Sequence, residues 1–157
     1  MMEESVGVKI SGIVQVDTSY GPAPALLLED DRERILLMLV GGAEALSIAT
    51  AVRGIHPPVP NTHDFMMKVL DGVNVRVKRG EIFGLQSNRF LARIIVESGG
   101  GEVTVEGRPS DIIALAIRAG ANVYVAEDVM REASIKKSEL LERAEKEEMK
   151  KTEEKEP

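Results

Sequence analysis

Cysteine is absent from this sequence of 157 residues. Its absence excludes disulfide bonds, zinc sites built from thiolates and a cysteine nucleophile. It leaves the redox compartment open, because a protein without cysteine suits reducing and oxidising surroundings equally.

Long apolar runs are absent as well. The longest, Ile35–Val40, is far shorter than the roughly 20 residues that cross a bilayer. Residues 1–4 are acidic and lack the apolar centre of a signal peptide. We therefore expect a soluble, cytoplasmic protein that does not bind a membrane.

Aromatic side chains and surplus positive charge are scarce. Aromatic residues make up 3% of the sequence, and the formal net charge is −6. Proteins that bind nucleic acid without sequence preference usually present a basic surface, and single-strand binders add aromatic side chains that stack on bases. The composition as a whole therefore argues against tight nucleic-acid binding, although a local basic stripe can exist on an acidic protein.

Two segments of similar pattern stand out in the rest of the sequence. Gly42-Ala43-Glu44 opens a helix-like run that ends at Gly54, and Arg108-Pro109-Ser110-Asp111 opens another that ends at Gly120. Proline in the first turn and glycine after the last turn are typical of helix ends. Because an alignment of Glu44 with Asp111 also pairs apolar residues of the two runs, the chain reads as one unit used twice.

Strand-like segments precede both helices. Alternating apolar and polar residues over 6–16 predict a half-buried strand with a bulge at Gly12. The polar turn 30–32 and the glycine turn 98–101 each join two further apolar segments, as in hairpins. We also expect a strand over residues 73–77, a helix that begins at residue 61 or 62, and a final helix over Glu127–Ala133.

These elements predict an α+β fold made of internally duplicated strand-strand-strand-helix-helix units. We expect the strands to form a single curved, barrel-like mixed sheet with the helices packed outside. The length and a hydrophobic content of 43% suit one domain, which we place over residues 1–131. Residues 132–157 hold nine Glu and seven Lys or Arg, so we expect a charged C-terminal tail, helical or disordered.

Four short motifs resemble those of a known family. They are Glu44-Ala45, Pro57-Pro58 with Thr62-His63-Asp64, Arg108-Pro109-Ser110-Asp111, and Tyr124-Val125-Ala126-Glu127. Their order and spacing over roughly residues 6–131 are similar to those of the bifunctional nuclease domain family. The resemblance implies a duplicated strand–helix fold and the degradation of DNA and RNA, with nucleic acid as the partner.

Glu44 and Asp111 each fall in the first turn of a predicted helix. There a carboxylate stabilises the unpaired N–H groups and the helix dipole by ~0.3–1 kcal/mol. Alternatively, the duplication brings the two acids near a pseudo-twofold axis, where they and Asp64 would hold Mg²⁺ or Mn²⁺. Such cations prefer oxygen ligands, and nucleases use them to polarise phosphate and to activate water.

His63-Asp64 is the one place where an imidazole and a carboxylate adjoin in the sequence. Asp64 follows Asn61 by three residues, which predicts a capping-box-like helix start with His63 on its exposed first turn. The functional alternative makes His63 a general base or a metal ligand, because its ordinary pKa suits proton transfer near neutral pH.

Arg108 is held extended by the proline that follows it. Its guanidinium would either pair with Asp111, Asp64 or Glu44 as a structural support, or bind a substrate phosphate.

Ser110 is interpreted as a helix cap rather than a nucleophile. The cations of Arg76, Lys78 and Arg93 form either a basic stripe for phosphate or a solvated sheet face.

Two functions follow from the sequence. The first is a metal-assisted nuclease, with Glu44, Asp64 and Asp111 as metal or acid residues, His63 as the base and Arg108 as the phosphate ligand. The second is a non-catalytic regulatory or binding module whose motifs are caps and supports, assembled as a homodimer or a higher homo-oligomer.

Overall fold

Residues 4–155, which the computed structural model describes, form eight strands and five helices. In chain order these are β1 (Ser5–Thr18), β2 (Gly21–Glu29), β3 (Arg34–Leu39), α1 (Gly42–Val52), α2 (Thr62–Gly72), β4 (Arg76–Gln86), β5 (Arg89–Ser98), β6 (Gly101–Gly107), α3 (Pro109–Ala119), β7 (Asn122–Ala126), α4 (Glu127–Ala133), β8 (Ile135–Lys136) and α5 (Lys137–Lys155). Residues 1–3, which entered the expectation about a signal peptide, lie outside the described range.

All eight strands belong to one mixed sheet, in the order β6-β5-β4-β7-β1-β2-β3-β8. Strands β1–β3 form one antiparallel group and β4–β6 another. Strand β7 joins the two groups, since it pairs antiparallel with β1 and parallel with β4. The α+β class and the single mixed sheet are confirmed. The described sheet has two free edges and is therefore open, and its barrel-like curvature and the internal duplication stay predictions.

Most strand boundaries agree with the sequence pattern, and the register of β1 on β2 shifts between Ile10 and Gly12, as expected of a bulge. The start of β4 was predicted wrongly. Asn74 has a left-handed φ of 58°, and the N–H groups of Val73 and Val75 bond to carbonyls of α2. These residues end a helix, so the strand begins at Arg76 and continues to Gln86.

Helix ends follow local chemistry. The side chain of Asn61 accepts a hydrogen bond from the Asp64 N–H, and the Asp64 carboxylate accepts one from the Asn61 N–H, which completes the expected capping box of α2. Helix α3 has Pro109 in its first turn and ends at Gly120, whose φ of 66° is left-handed. In α5 the charged tail is helical as far as residue 155, and the boundary between domain and tail stays a prediction.

The core lies where α3 packs on the sheet. The largest fully buried apolar side chains come from four strands and three helices: Leu26, Leu28, Leu36, Ile48, Ile82, Ile113, Val125 and Met130. Gly80 of β4 allows the close approach of α3, because a Cβ there would lie 2.8 Å from Cγ2 of Ile112. None of the described helices is long and apolar enough to cross a membrane.

We predict that Gly80→Ala destabilises the fold by about 1–3 kcal/mol, because the added methyl group must push α3 away from β4. Gly72→Ala is the matched control, since a Cβ at Gly72 meets no atom within 4 Å. Urea unfolding measures both. Equal free energies of unfolding for the two variants would contradict the close contact between α3 and β4.

Candidate functional site

The first turns of α1, α2 and α3 meet at one place. Glu44 lies in the first turn of α1, Asp64 in that of α2 and Asp111 in that of α3. The helix dipole favours a negative charge at each of these positions. The three helices thus bring together side chains that are up to 67 residues apart in the chain.

His63 is buried between the three helices and is only 5% exposed. Its Nδ1 lies 2.7 Å from Oγ of Ser47, and its Nε2 lies 2.8 Å from Oδ1 of Asp111. The expectation of an exposed His63 is therefore wrong. The capping box fixes the first turn of α2 so that this side chain points inward, towards α1 and α3.

The other contacts of Ser47 indicate which ring nitrogen of His63 accepts a hydrogen bond. Its Oγ accepts hydrogen bonds from Nη2 of Arg118 at 3.0 Å and from Nδ2 of Asn61 at 3.3 Å. Two accepted bonds fill both lone pairs of the hydroxyl, so its proton is donated to Nδ1 of His63. In this arrangement the Nε2–H of His63 donates to the carboxylate of Asp111.

Arg118 of α3 stabilises this arrangement. Its Nε donates to Oδ1 of Asp64 at 2.8 Å, and its Nη2 also donates to the backbone oxygen of Ser47 at 3.2 Å. The side chain is 9% exposed. Sequence reasoning missed Arg118 and Ser47, although one arginine in the otherwise apolar α3 run and one serine between Leu46 and Ile48 were visible signals.

Arg108 lies at the surface of the same cluster. Its Nε donates to Oδ2 of Asp111 at 2.9 Å, and its Nη2 donates to Oδ1 of Asp111 at 3.2 Å and to Oε1 of Glu44 at 3.0 Å. The Arg108 side chain is 65% exposed. Glu44 and Asp111 therefore meet across one guanidinium, and a hydrogen-bonded chain runs from solvent through Asp111 and His63 to Ser47.

The ion pairs hold these groups in their charged forms. Burial alone would raise the pKa of Asp111, but hydrogen bonds from Arg108 and His63 outweigh it and lower that pKa. The hydrogen bond from Arg118 lowers the pKa of Asp64 against the opposing effect of its burial. The hydrogen bond to Asp111, with that to Glu44, raises the pKa of Arg108.

The three carboxylates expected to bind a metal do not form one site. Glu44 and Asp111 share Arg108, whereas Asp64 is engaged by Arg118 and by the Asn61 N–H. Across residues 4–155, no group of three or more His, Asp or Glu side chains is placed to hold a metal ion.

Other predicted residues have structural roles or different partners. Ser110 is not the cap of α3, because it occupies the second helical position and makes no capping hydrogen bond. The three cations of the proposed basic stripe have carboxylate partners, since Arg76 and Lys78 share Glu97, and Arg93 pairs with the buried Glu81.

The last of the four sequence motifs, Tyr124-Val125-Ala126-Glu127, connects β7 to α4. Both carboxylate oxygens of Glu127 accept hydrogen bonds from Arg34, at 3.1 and 2.7 Å, and Nε of Arg34 donates to Asp30 at 2.8 Å. Hydrogen bonding from Arg34 lowers the pKa of Glu127. This cluster has the geometry of a structural ion pair.

An open mixed sheet and three helix starts that converge on a buried imidazole define the class as an α+β domain with a polar site at its helix N-termini. The sequence model of the bifunctional nuclease domain matches residues 25–138, which include every residue of the site. The chain belongs to the bifunctional nuclease domain family.

Three relatives show how far the likeness extends. Two uncharacterised proteins of Mycobacterium tuberculosis, from strains CDC 1551 and H37Rv, are each 33% identical over 128 residues, which are 82% of this chain and 76% of each relative. Bifunctional nuclease 2 of Oryza sativa subsp. japonica is 25% identical over 107 residues, which are 66% of this chain and 33% of the rice protein.

We predict that Arg118→Met lowers the free energy of unfolding by about 2–3 kcal/mol, because it removes the charged partner of Asp64 and the hydrogen bonds that Arg118 donates to Ser47. Arg53→Met is the matched control, since Arg53 is exposed and should change stability by less than about 0.5 kcal/mol. Chemical denaturation measures both changes. A loss no larger than that of the control would contradict the role of Arg118.

Stability should also depend on pH. A carboxylate whose pKa is lower in the folded than in the unfolded state adds stability above its unfolded pKa, and this stability is lost as the pH falls through its folded pKa. Asp64 and Asp111 both have lowered pKa values. Urea unfolding should therefore show stability falling below about pH 4. The Arg118→Met variant should show a shallower fall, and parallel curves would contradict the pairing.

Proposed function

We propose that the cluster of Glu44, Arg108, Asp111 and His63 hydrolyses phosphodiester bonds in DNA or RNA. Membership of the bifunctional nuclease domain family supports this reaction class, as does the name of the rice relative. The observation that carries the proposal is the exposed guanidinium of Arg108 between two carboxylates, one of which is attached to a buried imidazole. We place the reaction in the cytoplasm, the location that the sequence predicts.

Arg108 would bind the phosphate. Its Nη1 makes no hydrogen bond to any residue between 4 and 155, and a guanidinium matches the geometry of phosphate oxygens. A bound phosphodiester would then lie beside Glu44 and Asp111. The cation would also stabilise the negative charge that develops on the phosphate oxygens during attack.

Glu44 would accept the proton of the attacking water. Its Oε1 is held by Arg108, while its Oε2 has no hydrogen bond to the described part of the chain. The water oxygen attacks phosphorus, its proton passes to Glu44, and the bond from phosphorus to the leaving sugar oxygen breaks. That oxygen takes a proton from solvent. His63 holds Asp111 in place, so we assign it a positioning role in preference to the direct base role considered for the sequence.

Metal dependence stays a prediction. Mg²⁺ or Mn²⁺ would have to bind at Glu44 and Asp111 with water as the further ligands, because Asp64 is engaged elsewhere. No step of the reaction above depends on that ion.

A second candidate function is a binding module that assembles as a homo-oligomer. It is favoured by exposed apolar side chains on α1, on α2 and directly after α2, where Leu46 is 71%, Phe65 61% and Val73 62% exposed. Apolar patches of this kind often mark interaction surfaces. In this alternative the ion pairs of the site stabilise the fold and have no catalytic role.

We predict that Glu44→Gln lowers the rate of cleavage of labelled single-stranded DNA and RNA by about 100-fold or more, because the variant cannot accept a proton. Glu132→Gln is the matched control, since Glu132 is exposed on α4 and far from the cluster in sequence. Each reaction is run with Mg²⁺, with Mn²⁺ and with EDTA, beside His63→Ala and Asp111→Asn. Cleavage that survives all three site variants would come from a contaminant, and absence of cleavage by the folded wild type would favour the binding module.

A further inference from the structure

A groove of about 1000 Å³ opens beside Arg108. One side is formed by the end of β3 and the residues that follow it, the other by the turn and start of β5, and the end by the first residues of α3. Because Arg108 lines this groove and also binds Glu44 and Asp111, the groove is continuous with the proposed catalytic cluster.

The α3 end of the groove has unused hydrogen-bonding groups. Ser110 is 7% exposed and lines the groove, yet its hydroxyl makes no hydrogen bond to the described residues. Its backbone N–H likewise has no backbone acceptor there, since the first helical hydrogen bonds start from Asp111 and Ile112. Both groups are therefore free to donate a hydrogen bond to a ligand in the groove, and at a helix N-terminus the ligand that fits is an anion.

The charge of the groove differs from that of the whole chain. Its charged lining residues are Arg89, Arg108 and Glu106, so the lining is net positive on a chain of net charge −6. Arg89 is exposed and makes no ion pair within residues 4–155. This cation therefore remains available for an anionic ligand.

The other walls are apolar. Two of the three phenylalanines of the chain, Phe83 and Phe90, line the groove, together with Leu39, which is 55% exposed. Aromatic and apolar side chains of this kind stack on or contact a nucleobase, which has to be unpaired to reach them.

We propose that this groove binds one nucleotide of single-stranded nucleic acid. The base lies against Phe90 and Leu39, and the phosphate lies at Ser110, Arg89 and Arg108. The proposal rests on the proposed function, because it names the form of nucleic acid that enters the same site. A nucleotide held in this way places its phosphodiester next to Glu44.

Fluorescence anisotropy with a labelled dodecamer of thymidylate tests the groove, with phosphorothioate linkages to slow cleavage. Arg89→Glu should weaken binding about tenfold, and Ser110→Ala about threefold or more. Arg53→Glu makes the same charge change at an exposed position outside the groove and should have less than about a twofold effect. Thermal melting verifies that each variant is folded.

Two further probes identify the ligand. An abasic strand of the same length should bind at least about fivefold more weakly, because it cannot contact Phe90 and Leu39. A duplex of the same sequence should also bind more weakly. Equal affinity for the abasic strand, for the duplex or between Arg89→Glu and Arg53→Glu would overturn the proposal, as would absence of binding by the wild-type protein.

Different outcomes contradict the proposal about the groove and the proposed hydrolytic function. Base-dependent binding without cleavage of the unmodified strand would leave the groove in place and remove the proposed function. Cleavage that depends on Glu44 but is the same in Arg89→Glu and Arg53→Glu would keep the function and remove the groove.

Discussion

Both ring nitrogens of the buried His63 need partners, and this requirement fixes how three helices sit against one another. Ser47 of α1 supplies a hydroxyl donor on one side, and Asp111 of α3 supplies the carboxylate on the other. Arg118 closes the network from α3 by binding Ser47 and Asp64. Because an unpaired polar group in such a network is costly, small shifts of one helix are resisted by the other two.

The same network divides the site into a buried and an exposed half. His63 and Ser47 are closed off from solvent, whereas Arg108 is open to it and Glu44 and Asp111 lie between. A substrate would meet the guanidinium and the carboxylates first, so the imidazole acts through Asp111. Any reaction at this site therefore depends on how rigidly His63 and Ser47 position the exposed residues. Reacting groups are commonly oriented by buried neighbours in this way.

Elsewhere in the fold, buried carboxylates form ion pairs with arginine side chains. Glu81, which is 1% exposed, lies between Arg79 and Arg93, and Glu127 is held by Arg34. Such pairs let charged residues occupy strands and helix starts that the fold buries. Arg89, which lines the groove beside Arg108, makes no ion pair with the described residues.

Local chemistry determined much of this protein from its sequence. The bulge near Gly12, the capping box at Asn61, Pro109 and Gly120 at the ends of α3, and the α+β class all depend on residues close together in the chain. Tertiary structure alone decided the burial of His63, whose partners lie 16 and 48 residues away, and the roles of Ser47 and Arg118, which are 71 residues apart. It also decided that β4 extends through charged residues such as Glu81, because only their distant partners make burial tolerable. A sequence pattern records which residues a helix or a strand offers, whereas hydrogen-bond and ion-pair partners are chosen when those elements pack.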